Sequence, residues 1–162
     1  MIWLFVFITI VLMSFGVVLL FGAPYLPTLT PQVSIALELS HLKAGATLLE
    51  LGCGDGKVLI AAAQQGISVV GYELNPILVC VAWIRTRKYK SHVRIIWGNF
   101  WSKSWPPTDA IFVFLLPKYM PKLDKKCMRY TYRPVKLVSF AFEIPNKKPT
   151  REKAGVFLYS YA

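Results

Sequence analysis

Leu48-Leu49-Glu50-Leu51-Gly52-Cys53-Gly54-Asp55-Gly56 runs from an apolar segment straight into three glycines at alternate positions. An apolar run of this length, closed by glycine, reads as a buried strand, and the alanine-rich stretch after Gly56 reads as a helix. Between them, the glycines permit a tight bend and let a ligand approach the backbone closely. In open α/β sheets such a turn lies at the carboxyl end of a strand, where ligands bind. The spacing separates ligand classes. A dinucleotide fingerprint wants glycine or alanine at the sixth position of G-x-G-x-x-G, and Lys57 stands there. A P-loop would need a terminal G-K-[ST], which is absent. Glu73 follows Gly52 by 21 residues, at the end of the next apolar run, where an acid accepts hydrogen bonds from ribose hydroxyls. The plainer role for Glu73 is a charge ahead of a helix N-terminus at Asn75-Pro76.

Outward from this turn the chain alternates strands and helices. The spacing predicts a helix over Val33–Leu42 with Thr30 as cap, Pro31 at its first position, Ile35, Leu39 and Leu42 on one face, and Gly45 ending it. Strands are expected at Thr47–Leu51, Ser68–Tyr72, Val93–Trp97, Ala110–Leu116, Val135–Phe142 and Val156–Tyr161. Helices are expected at Gly56–Gln65, Pro76 to about Tyr89, and Lys118 to about Tyr130. Crossover helices imply a parallel sheet; the last two strands, with no helix between them, imply an antiparallel edge. Glu143–Gly155 reads as a long polar connection.

The N-terminus differs in kind. Glu38 is the first charged side chain, and in Ile2–Ala23 only Thr9 and Ser14 are polar. As a helix these 22 residues would extend about 33 Å, enough for a hydrocarbon core of roughly 30 Å. Trp3 and Tyr25 suit the interfacial aromatic belt, and Pro24 and Pro27 stop the helix. A signal peptide would carry a basic n-region and a shorter apolar run, and a transit peptide would carry arginines. The domains expected are a transmembrane anchor at 1–23, a proline-rich linker at 24–32 and a folded domain at 33–162. The first base, Lys43, lies too far from the anchor to orient it by charge.

At 162 residues and 18.3 kDa, the chain holds one domain beside its anchor. With 55% hydrophobic and 17% charged residues it is neither disordered nor collagen-like, and three cysteines cannot staple a small fold. The net charge of +11 is lopsided: residues 1–84 sum to −2 and residues 85–162 to +13. Such a half suits a polyanionic neighbour, and beside an anchor the economical one is a surface of anionic lipid head groups. Cys53, Cys80 and Cys127 lack metal-ligand spacing, so no metal is expected. No nucleophile motif assembles a Ser-His-Asp set. His41 and His92, at a helix end and a strand start, read as structural. Trp97, Phe100, Trp101 and Trp105 fit core and adenine-pocket packing better than a nucleic-acid stacking surface.

Glu50-Leu51-Gly52-Cys53-Gly54-Asp55-Gly56, with Gly71-Tyr72-Glu73-Leu74-Asn75-Pro76 after it, resembles class I S-adenosylmethionine-dependent methyltransferases. The anchor, Tyr25-Leu26-Pro27-Thr28, and Phe114-Leu115-Leu116-Pro117-Lys118-Tyr119-Met120-Pro121-Lys122-Leu123 narrow this. Together they are similar to the small membrane-anchored protein-lysine N-methyltransferases, whose mitochondrial members act on the ATP synthase c-subunit and the adenine nucleotide translocase. The resemblance implies a Rossmann-like α/β fold, its sheet mostly parallel with an antiparallel edge and helices on both faces, preceded by one transmembrane helix. It implies S-adenosyl-L-methionine as cofactor, held by Glu50, Gly52, Cys53, Gly54, Gly56, Glu73, Leu74, Asn99 and Phe100. Glu50 would hold the amino group, Glu73 the ribose and Asn99 the adenine amine, where the family usually has an acid. Tyr25, Thr28, Leu116 and Pro117 would line the methyl-transfer site. No general base is legible.

The expected function is therefore methylation of a protein lysine, in a membrane protein, by a single-pass protein whose domain faces the cytoplasm or the matrix. The partners implied are the bilayer, that substrate and anionic head groups, with nucleic acid disfavoured. The alternatives are methylation of RNA or another small substrate, and a non-catalytic cofactor-binding module.

Overall fold

The computed structural model describes residues 1–21 and 26–162, and in its first helix only part of the side chains. The elements in chain order are α1 (Ile2–Phe21), α2 (Thr30–Ser40), β1 (Thr47–Leu51), α3 (Lys57–Ala63), β2 (Ser68–Glu73), α4 (Pro76–Thr86), β3 (Val93–Trp97), β4 (Ala110–Val113), α5 (Met120–Met128), β5 (Val135–Phe140), β6 (Arg151–Lys153) and β7 (Val156–Tyr161). The seven strands form one sheet in the order β3-β2-β1-β4-β5-β7-β6. The first five strands pair in parallel; β7 runs antiparallel to both β5 and β6.

Alternation along each strand divides the core in two. Leu48, Val69, Ala110, Phe112 and Val138 face α2 and α3. Leu49, Leu51, Ile111, Val113 and Leu137 face Leu123 and Cys127 of α5. Both faces of β1 and β4 are therefore covered, which is why these strands are continuous apolar runs rather than alternating ones. The registers place Leu51 opposite Tyr72 and Val113, and Glu73 opposite Trp97. The carboxyl ends of β1 to β4 thus lie side by side, and the segments that leave them share one edge of the sheet.

Several boundaries differ from the sequence expectation. α2 begins at Thr30, so Leu29 rather than Thr30 holds the cap position, without a side-chain cap. It buries Val33, Ala36, Leu37, Leu39 and Ser40, and it ends at His41 in the left-handed conformation, before Gly45. α3 is shorter than Gly56–Gln65, and α4 passes into a 3-10 turn at Arg87–Tyr89. β4 stops at Val113: Phe114 to Leu116 leave the ladder, and a 3-10 turn over Pro117–Tyr119 leads into α5. β5 ends at Phe140 because Ala141 takes a positive φ of 69°. The connection Glu143–Gly155 contains β6, whose three exposed residues carry no apolar signal and are set only by pairing with β7.

α1 is helical over Ile2–Phe21 and carries no charged side chain. Among the described residues, no helix is long and apolar enough to cross a membrane. The expected span 1–23 includes residues beyond the described ones, and Tyr25 also lies outside them.

Candidate active site

The turn after β1 is built as its glycines require. Gly52, Gly54 and Gly56 take φ of 89°, 53° and 80°, conformations that cost other residues a Cβ clash. The N–H groups of Gly52 and Cys53 both donate to the Tyr72 carbonyl, at 2.9 and 2.8 Å, which folds the turn back over the end of β2. That approach requires Gly71: a Cβ there would stand 2.9 Å from both Cβ and Sγ of Cys53. Gly52 itself is exposed, and a Cβ added to it would meet nothing within 4 Å. Backbone capped by open space is the form a ligand cradle takes.

Two carboxylates lie beneath it. Glu73 ends β2 and is 7% exposed. Its Oε2 accepts the Gly54 N–H at 2.8 Å; its Oε1 accepts those of Leu74 and Asn75, each at 2.8 Å. One side chain thereby joins the glycine turn to the turn after β2, and about one lone-pair site of its four remains open. Asn75 then caps α4, its Oδ1 accepting from Ile77 and Leu78. Glu50, on β1 between Gly71 and Phe112, is 4% exposed, and its Oε2 has no hydrogen-bond partner. Burial, then the charge of Glu73, raises the Glu50 carboxyl well above the usual range. The same burial and both carboxylates raise the Cys53 thiol, which is therefore no nucleophile at neutral pH.

A buried, unpartnered acceptor beside a second carboxylate is costly unless a cationic donor meets it. The amino group of S-adenosylmethionine is such a donor, and the open surface above Gly52 leaves room for it; the residues fit the cofactor. Glu50 would hold the amino group, the glycine turn the methionine part, and Glu73 the ribose through its open site.

The other expected residues gather on the same edge to different degrees. Leu74 follows Glu73, and its carbonyl accepts the Trp97 indole N–H at 3.0 Å. Asn99 is the second residue after β3, and its Oδ1 accepts the Trp101 N–H at 2.9 Å in a local turn, which leaves one lone pair for an adenine amine. Phe100 packs at 4.7 Å from Trp101, against the α5-side core. Leu116 and Pro117 follow β4, the first half-buried and the second exposed. Thr28 is buried, and its carbonyl accepts from Lys57 Nζ at 2.9 Å, which ties the N-terminal segment to the start of α3. Of the four aromatics read as packing residues, Trp105, Phe100 and Trp101 pack so, but Trp97 is 65% exposed.

Sequence reasoning missed Lys126. Its ammonium, from α5, donates to the carbonyls of Phe100, Trp101 and Lys103 at 3.2, 2.9 and 3.1 Å and lies over the Trp105 ring. In sequence it is one of many bases on an amphipathic helix, with nothing to mark it. It also missed Asn75 Nδ2, a second buried unpartnered atom next to Glu73.

The chain resembles known proteins along most of its length. A family model described as the ANTKMT methyltransferase domain matches residues 50–151. The ATP synthase c-subunit lysine N-methyltransferase of Xenopus laevis is 33% identical over 128 residues, 78% of this chain and 56% of that protein. The adenine nucleotide translocase lysine N-methyltransferase of Mus musculus is 30% identical over 129 residues, 78% of this chain and 56% of that protein. This chain thus spans about half the length of these relatives. Among solved structures, an RNA methyltransferase from Salinibacter ruber, in complex with S-adenosyl-L-homocysteine, superposes with a TM-score of 0.76 at 27% identity, covering 84% of this chain and 92% of that one.

Proposed function

Because the chain belongs to the ANTKMT methyltransferase-domain family, we propose that it is a membrane-anchored protein-lysine N-methyltransferase whose substrate is a lysine of a membrane protein. The observation that carries the reading is the unpartnered Glu50 Oε2 under the open glycine turn, beside the ribose-side acceptor Glu73. Relatives named for the ATP synthase c-subunit and the adenine nucleotide translocase support the substrate class. The apolar run Ile2–Ala23, in which only Thr9 and Ser14 are polar, supports the anchor: a tether raises the local concentration of a membrane-resident target. The domain faces the cytoplasm or the matrix, where the cofactor is available.

The cofactor is S-adenosylmethionine, which supplies an activated methyl group on a sulfonium. The chain's own task is positioning. Glu50 would hold the amino group and Glu73 the ribose, Asn99 and Phe100 would flank the base, and Leu116 and Pro117 would present an apolar lip to the incoming lysine. Desolvation on that lip favours the neutral amine that can act as nucleophile.

Calorimetry on the detergent-purified full chain tests the reading. Binding of S-adenosylmethionine that is weakened in Glu50→Gln, with unchanged secondary structure, is expected. A folded chain that binds none would overturn it. Radiolabelled methyl transfer to membrane fractions then tests the lysine substrate. A second reading, RNA methylation, is favoured by the +13 charge of residues 85–162 and by the likeness to the Salinibacter enzyme. Steeply salt-dependent RNA affinity and label in RNA rather than protein would select it.

A further inference from the structure

The basic side chains of the C-terminal half differ in what surrounds them. Lys118, in the turn before α5, and Lys122 and Lys126 on α5 lie over the rings of Tyr119, Trp101 and Trp105. Lys147 pairs with Asp124, Lys153 with Glu38, and Lys136 donates to the Ser40 carbonyl. These bases are used by the fold. At the opposite end of the sheet, Arg87, Lys88 and Lys90, at the end of α4, are exposed and make no ion pair or side-chain hydrogen bond among the described residues; Lys103, Lys125, Arg129 and Lys148 are likewise exposed and unbonded, but have no comparable exposed apolar face beside them.

The same edge carries apolar side chains that packing does not explain. α4 turns Leu78, Ala82 and Thr86 inward. Cys80, Trp83 and Ile84, at i, i+3 and i+4, share its outer face. Trp83 is 71% and Ile84 56% exposed. Trp97, 65% exposed, closes β3, the last strand on this side. α1 meets the fold at α4, so the proposed anchor arrives at this edge.

We infer that the α4–β3 edge is a second, peripheral membrane contact, which fits a bilayer surface rich in anionic head groups. It rests on the reading of residues 1–23 as the anchor. Trp83 and Ile84 enter the interfacial layer, where tryptophan is favoured. Arg87, Lys88 and Lys90 lie among the phosphates. Three unpaired like charges oppose a second copy of the chain on this face. With the anchor as one attachment and this edge as the other, the domain cannot swing freely about the linker, and its strand-end site keeps one depth relative to the membrane.

Cys80 is the probe, since it is exposed on this face while Cys53 and Cys127 are buried. The full chain is spin-labelled at Cys80 and reconstituted in nanodiscs of phosphatidylcholine, with or without phosphatidylglycerol, and collision rates with oxygen and a water-soluble nickel chelate are measured. In anionic discs the label is expected to gain oxygen and lose nickel contact, and high salt to reverse this. The variant R87Q/K88Q/K90Q is expected to shift the docking equilibrium by on the order of 100-fold, at about fivefold per charge. W83S/I84S is expected to lose the contact in every lipid. A label as water-exposed in anionic discs as in detergent overturns the inference, as does dipolar broadening between two labelled copies, which would make this edge a self-interface. Alkaline extraction reads the anchor separately. A chain released by it breaks the anchor reading, and the inference falls with it.

Discussion

β2 and β3 are neighbours; β2 ends in the acceptor Glu73, and two residues past the end of β3 stands the acceptor Asn99, yet the two are held by opposite means. Glu73 is charged, buried and bonded to three N–H groups drawn from two different turns. Asn99 is neutral and half-buried, and its side chain accepts from the N–H of Trp101, two residues away. Its segment is held instead by Lys126, a cation that gathers three carbonyls as Glu73 gathers three N–H groups. The ribose side of the site is thus organised by an anion within the nucleotide-binding half. The adenine side is organised by a cation on a helix from the other half. A local acceptor needs a remote clasp; a remote acceptor is its own clasp.

The sharpest break of this comparison is Glu73→Ala. Three buried or partly buried N–H groups lose their acceptor at once, each costing about 1–3 kcal/mol. Denaturant unfolding is expected to show a loss on the order of 3 kcal/mol or more, with cofactor binding abolished. A variant of unchanged stability would show that water replaces the carboxylate at no cost.

Glu50 tests the pair of carboxylates by pH. Its carboxyl is raised by burial and by Glu73, so the folded protein prefers it protonated. The stability this contributes is fully present below the ordinary glutamate range and is lost as pH rises through the raised value. The cofactor-free protein is expected to lose stability upward from mildly acidic pH, with a slope of at most about 1.4 kcal/mol per pH unit for one proton. Glu50→Gln is expected to flatten that slope in thermal melts while weakening cofactor binding. A slope unaltered by the substitution would assign it elsewhere.

Lys126→Met keeps the stem and removes the ammonium. Hydrogen bonds to a charged donor are each worth about 1.5–3 kcal/mol, less where water competes, so a loss of about 2 kcal/mol is expected. Hydrogen exchange should quicken at residues 99–104 and stay unchanged at 52–56. Equal quickening in both would remove the distinction between the two clasps.

The smallest effect should come from Asn99→Asp, which restores the acid usual in the family at a position whose turn also accepts aspartate. A charge-assisted bond is about twice as strong as a neutral one. Cofactor binding is expected to tighten by about fivefold in calorimetry. Weaker binding would mean that the Asn99 side chain does not face the adenine amine.

Much of this site was legible before any coordinates. The alternate glycines at 52, 54 and 56 demand backbone angles that other residues resist, so their pattern announces a turn whatever surrounds it. Glu73 lies next to its own Leu74 and Asn75 N–H groups, and Asn75-Pro76 is a helix start that needs no partner. The strand core at 47–51 was legible because burial on both faces writes itself as apolar residues, and the edge strand at 93–97 because its β-branched Val93, Ile95 and Ile96 pack partly against the core. Strand ends were less so: Phe114 to Leu116 are as apolar as β4, and only the geometry of pairing shows that the ladder stops at Val113. β6 left no signal, because three exposed residues become a strand only through β7.

The sequence by itself determined the parallel α/β order, the glycine turn, the two acids below it and the family, since all of these rest on backbone preference, local hydrogen bonding or uninterrupted apolar runs. Tertiary structure alone decided that Gly71 must have no Cβ, that Glu50 is left without a partner, that Lys126 rather than another base clasps the Asn99 segment, and that Trp97 faces outward. Each of these depends on which distant residue arrives alongside, with up to 26 positions separating Lys126 from its acceptors. Distances of that kind are set by how the sheet brings its strands together, and the residue types alone do not encode them.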